Sequence, residues 1–231
     1  MDAENTYKGE IPVEHTRETV LNSILAEKLI VIARKVPDDK LIDVAEALYA
    51  GGIRLLEVTY CDDGSITNEA IAASIGRLVK HFEGRMFIGA GTVMTLEQVR
   101  LTKEAGGTFI ISPNMDPAVI GETVKLGMIS LPGAFTPTEV AAARAAGADI
   151  VKLFPADCAG PAYLKAIKAP LSGVKMVAVG GIDENNMGAY LKAGACGFGV
   201  GSNILKKAMI DAGDYAAITA LAEKYIEALK A

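Results

Sequence analysis

Residues 128–156 read MISLPGAFTPTEVAAARAAGADIVKLFPA, and they contain one whole repeat of the pattern that decides the fold. The stretch opens on an apolar strand-like run, MISLPGAF (128–135). TPTE (136–139) then starts a helix, with Thr136 as N-cap, Pro137 in the first turn and Glu139 closing a capping box. The helix ends at Ala146-Gly147, where glycine can take positive φ without strain. A second strand-like run follows, DIVKLFPA (149–156). Both runs are apolar through their length, as expected of parallel strands buried on both faces.

The same unit recurs on either side. LIVIAR (29–34), IRLLEVTY (53–60), MFIGAGTV (86–93) and TFIISPN (108–114) precede it, and KMVAVGGI (175–182) and CGFGVGSNI (196–204) follow. Ala-Gly pairs at 50–51, 105–106 and 193–194 mark further helix ends, and TLEQ (95–98) and Asp116-Pro117 further starts. Eight β/α units in 231 residues predict a (β/α)₈ TIM barrel, an α/β fold of about 250 residues. An open doubly wound sheet is the other arrangement of such units. No G-x-G-x-x-G follows the first strand, where a dinucleotide-binding version would carry it. Residues 14–27 read as an extra helix before the first strand, residues 1–13 are expected to be loosely ordered, and residues 1–231 as one domain.

Composition removes several classes of function. A net charge of −5 with no basic cluster argues against nucleic acid as partner. Cys61, Cys158 and Cys196 are far apart and form no CxxC pair, which fits a reducing cytoplasm and excludes a paired-cysteine zinc site. His15 and His81 are too few for a multi-histidine metal centre, and neither lies near a site motif. The polar, acidic N-terminus has no signal-peptide character, and no apolar run approaches the ~18 residues of a membrane span. The expectation is a cytoplasmic protein.

In a (β/α)₈ barrel the chemistry sits at the C-terminal ends of the strands. Lys152 lies there, in the middle of an apolar run where a charged ammonium is costly. Buried, the amine loses its proton easily and can attack a ketone to form a Schiff base. Facing outward, it would instead snorkel between helices or pair with a barrel carboxylate. Glu57, in RLLEVTY, is a second ionisable group near a strand end and suits proton transfer beside an imine; a structural Glu–Lys pair is the other reading. Arg34 at the end of strand 1 offers a cation for a carboxylate or phosphate, or is a plain surface residue. Gly180-Gly181 and Gly201-Ser202 end strands 7 and 8, where such barrels often bind phosphate; tight turns alone could also need the glycines.

Taken together, LLEVT, IGAGTV, FIISPN, PGAFTPTE, VKLFPA, GGI and GVGSNI resemble the 2-keto-3-deoxy-6-phosphogluconate (KDPG) / 4-hydroxy-2-oxoglutarate (KHG) aldolase family of class I pyruvate aldolases. The pieces occur in family order across residues 30–204. The resemblance implies a lyase that needs no metal or organic cofactor, works on a phosphorylated 2-keto-3-deoxy sugar acid and forms homotrimers. It implies a Schiff base on Lys152 and proton transfer by Glu57 through a bound water. Thr92, with Arg34, would bind the pyruvate carboxylate. Pro113 and Phe154 would wall the imine, and Gly180, Gly181, Gly201 and Ser202 would hold the phosphate. Two positions depart from the pattern. Cys61 stands where many members have arginine, and Val179 in AVGG resembles the phosphogalactonate enzymes, whereas TPTE fits the phosphogluconate branch. An isomerase or epimerase on a phosphate-binding barrel, and a non-catalytic sugar-phosphate binder, remain open as alternatives.

Overall fold

The structure, a computed structural model, describes residues 16–230. The expected loose N-terminal segment 1–13, and residues 14–15 of the expected first helix, lie outside the described residues. Helix α1 (Arg17–Glu27) starts on Thr16, whose hydroxyl accepts from the Thr19 amide. Strand β1 (Leu29–Ala33) follows, then α2 (Leu41–Ala50), β2 (Leu55–Thr59), α3 (Asn68–His81), β3 (Phe87–Gly91), α4 (Leu96–Glu104), β4 (Phe109–Ile111) and α5 (Pro117–Lys125). The second half runs β5 (Ile129–Leu131), β6 (Gly133–Ala134), α6 (Pro137–Ala145), β7 (Val151–Leu153), α7 (Ala156–Lys168), β8 (Met176–Val179), α8 (Met187–Lys192), β9 (Gly197–Val200), α9 (Lys207–Ala212) and α10 (Tyr215–Ala228).

All pairings are parallel, in the order β5-β4-β3-β2-β1-β9-β8-β7-β6. The fifth expected strand appears as two because Pro132, which has no N–H to donate, divides it. The Ser112 amide still donates to Leu131 O on one side, at 3.2 Å, and the Lys152 amide to Pro132 O on the other, at 2.9 Å. The ring therefore closes through this one segment, giving the eight-unit barrel.

Side chains alternate along every strand. Val31, Leu56, Ile88, Ile110, Val151 and Ala178 face the helices and form the outer core. Ile30, Leu55, Phe87, Phe109, Ile129, Ile150 and Val177 fill the barrel, and Val20 and Ile24 of α1 join them from the N-terminal mouth. Arg17 fastens this plug through Asp149, at 2.6 Å.

The helix punctuation is as expected at Thr95 and Thr136, which both form complete capping boxes, and at Asp116. Gly106, Gly147 and Gly194 take positive φ. After α2 that conformation falls on Gly52 instead of Gly51, because Gly51 is still a helical cap pressed against α10. No helix among the described residues is long and apolar enough to cross a membrane.

Candidate active site

Lys152 is the central residue of β7, and its neighbours Val151 and Leu153 point outward, so the lysine points to the barrel axis. It is 5 % exposed. Its register partner is Gly133, where a Cβ would lie 2.3 Å from Pro113 O. The missing side chain lets the end of β4 close in and brings Pro113 to the cavity wall. Phe154 lies 4.6 Å from Lys152 Nζ at its ring centroid and forms an aromatic wall open to solvent on the other side.

Glu57 faces the same interior from β2 and is 1 % exposed, with Oε2 lacking any hydrogen-bond partner. Space for its carboxyl comes from Gly91, where a Cβ would fall 1.4 Å from Glu57 Oε1. The next residue, Thr92, holds φ of 56°, a strained conformation for a β-branched residue. That turn presents its hydroxyl to Arg34, whose Nη2 donates to Thr92 Oγ1 at 3.1 Å. The arginine is exposed, but this bond holds it at the edge of the cavity that Lys152 lines.

Burial pushes the Glu57 carboxyl up to about 7, against the pull of Lys152 and Arg34. The Lys152 amine is pushed down, first by burial and then by Arg34, with Glu57 opposing. Each charge is costly alone in this interior, and the two groups lean on each other without forming an ion pair. A lysine shifted toward neutrality is a nucleophile, and a carboxyl titrating near neutral pH can both take and return a proton.

A cavity of about 790 Å³ opens above the pair. Arg34, Thr92, Pro113, Lys152 and Phe154 line one part of it, and Gly180, Gly181, Gly201 and Ser202 another. Glu57 is not among its lining residues. Gly180 and Gly181 have φ of 100° and 66°, and a Cβ on Gly181 would lie 2.4 Å from Asp157 Cβ, so this turn requires glycine. Gly201-Ser202 opens a turn in which the Ile204 and Leu205 amides donate to Gly201 O, before α9 and α10. The amides of Ser202 and Asn203 donate to no protein group among the described residues, which leaves them available to an anion.

Two asparagines escaped the sequence reading. Asn186 Nδ2 donates to Gly181 O and Asn203 Nδ2 to Ile182 O, each at 2.8 Å, so they set the peptides of one glycine turn and tie it to the other. Their position in GGIDENN and GVGSN, just after the glycines, was the available signal. Ile32 also lines the cavity and was legible only as an inward position on β1.

A closed parallel barrel with a buried lysine and a buried carboxyl below an anion-ready turn pair defines the class: a barrel lyase built for imine chemistry. The family model described as "Aldolase: KDPG and KHG aldolase" matches residues 20–221. The chain belongs to this KDPG and KHG aldolase family. It is 40% identical over 187 residues to a probable 2-dehydro-3-deoxy-6-phosphogalactonate aldolase of Rhizobium meliloti, covering 80% of this chain and 85% of the relative. A 2-dehydro-3-deoxy-phosphogluconate aldolase of Treponema pallidum is 35% identical, over 80% of this chain and 86% of its own. Among solved structures, the KDPG aldolase of Legionella pneumophila with pyruvate captured as a covalent carbinolamine superposes with a TM-score of 0.79 at 29% identity, covering 88% of this chain and 96% of that one.

Proposed function

We propose that the enzyme cleaves a phosphorylated 2-keto-3-deoxy sugar acid to pyruvate and glyceraldehyde 3-phosphate through a Schiff base on Lys152. The observation that carries this is a lysine only 5 % exposed on the inner face of β7, with its amine pushed down and a coupled carboxyl raised to about 7.

Lys152 Nζ attacks the C2 ketone, and loss of water from the carbinolamine gives the iminium. Glu57, through a bound water, takes the C4 hydroxyl proton as the C3–C4 bond breaks, and the bond electrons pass into the iminium to give the enamine. The aldehyde leaves. Glu57 then returns a proton to C3 by the same route, and hydrolysis releases pyruvate and the free amine. Thr92 and Arg34 bind the pyruvate carboxylate, while Pro113 and Phe154 keep the imine dry. The turns at Gly180-Gly181 and Gly201-Ser202 hold the phosphate. With Cys61 in place of the arginine found in many members, Arg34 carries the carboxylate's charge.

Two observations favour the galactonate over the gluconate epimer. Val179 puts an apolar side chain at the cavity wall, and the Rhizobium relative carries the phosphogalactonate name. Pyruvate release from the two epimers, followed through lactate dehydrogenase, tests the reading. The account expects cleavage of both, faster with galactonate, and none by Lys152→Ala. Substantial cleavage by Lys152→Ala would sink the Schiff-base assignment, and faster cleavage of gluconate would reverse the epimer preference. We read residues 1–231 as one domain, the assembly as a homotrimer and the compartment as the cytoplasm. The unpaired state of Cys61, Cys158 and Cys196 supports the last, and sedimentation velocity checks the assembly.

A further inference from the structure

Thr59 ends β2 two residues after Glu57, so the two side chains share the inward face of the strand. It is 2 % exposed, and its Oγ1, like Glu57 Oε2, has no hydrogen-bond partner. A buried hydroxyl without a partner is a cost that valine, of nearly the same shape, would not carry.

The register brings the two unpartnered groups to one level. Glu57 pairs with Gly89 and Thr59 with Gly91. Phe109 fills the space over Gly89, with a ring carbon 2.3 Å from where a Cβ would be. The Glu57 carboxyl therefore leans one step up the barrel and occupies the space over Gly91. Gly91 is the register partner of Thr59, so the carboxyl occupies the space beside it on a neighbouring strand, and such strands lie about 4.8 Å apart. The two groups do not bond each other. Groups on adjacent strands at one level can share a single bridging water.

We propose that Thr59 is a positioning residue: its hydroxyl orients the water through which, on the family's pattern, Glu57 exchanges protons with the substrate. The inference rests on the aldolase reading given above. In cleavage the water passes one hydrogen to Glu57 and takes the C4 hydroxyl proton, so it is unchanged. In the return step it takes the proton from Glu57 and gives one to C3 of the enamine. The hydroxyl fixes which lone pair of the water faces the substrate.

Thr59→Val and Thr59→Ser test this. Three readouts are borohydride trapping with pyruvate, exchange of the pyruvate methyl protons for deuterium, and the pH profile of cleavage. The expected Thr59→Val enzyme is at least as heat-stable as the parent and traps pyruvate normally. Its exchange and kcat are slower by about tenfold or more. The acidic limb of its profile moves to higher pH, because Glu57 loses a polar neighbour while Lys152 and Arg34 still face it. Thr59→Ser restores the rates. Parental exchange and pH profile in Thr59→Val would overturn the proposal, as would equal losses in Thr59→Ser or loss of trapping with unchanged pH limbs. If Thr59→Val does not fold, Thr59→Ala is judged on the same readouts. Failure of the parent enzyme itself to trap pyruvate would reject the aldolase reading, which is a separate result.

Discussion

Lys152 and Glu57 were both conspicuous in the sequence, as ionisable residues inside apolar runs near strand ends. Their direction was not, because one residue of register decides whether a side chain faces the barrel or the helices. Glu57→Gln should leave the amine free to form the imine yet lose turnover by roughly 10²-fold or more; trapping and kcat measured on the same preparation check this. Gly91 was legible only as part of the IGAGTV run, and its role as the space for a carboxylate needed coordinates. Gly91→Ala would force the Glu57 side chain out of place, since the added carbon meets Oε1 at 1.4 Å. Its kcat should fall nearly as far as that of Glu57→Gln, with imine trapping retained. Thr92 gave no sequence sign of its positive φ, because nothing in GAGTV distinguishes a left-handed threonine from an extended one.

At the scale of elements, helix starts were the most legible feature. Thr95, Asp116 and Thr136 all cap as their local patterns indicate, because capping is decided within four residues of sequence. Thr136→Ala should cost about 1 kcal/mol in denaturant unfolding, with kcat unchanged. Strand boundaries were less legible. Pro132 splits the fifth strand into β5 and β6, and the consequence depends on what lies on each side of it: β4 accepts one half and β7 the other. After β9 the chain folds back on Gly201 O and starts α9 only at Lys207, a turn that no capping pattern in the sequence announces.

For the molecule as a whole, the barrel was legible from the count of units, and the order of strands follows from right-handed β/α crossovers. The plug at the N-terminal mouth was not, since the α1 sequence shows a helix but not which opening it covers. Ile24→Ala should destabilise by about 2–4 kcal/mol, because Ile24 is buried among the barrel's interior residues. The site also sets a pH dependence of stability. Glu57 is raised to about 7 in the fold, so the folded state holds a proton between about 4.5 and 7 that the unfolded chain releases. Its stabilising effect is full below about 4.5 and is lost as pH rises through 7. Lys152 is lowered, so its contribution is present at high pH and is lost as pH falls through its folded value. Glu57→Gln should therefore stabilise more at pH 8 than at pH 5, as read from paired melting temperatures; an equal shift at both would mean that Glu57 is not raised.

The central claim is that Lys152 is buried in order to be a neutral nucleophile toward a ketone. Borohydride reduction in the presence of pyruvate, followed by peptide mass mapping, tests it most directly. The account predicts a reduced pyruvate adduct on the peptide that carries Lys152, and none on Lys152→Ala. A folded enzyme that forms no adduct, or forms it on another lysine, would contradict it.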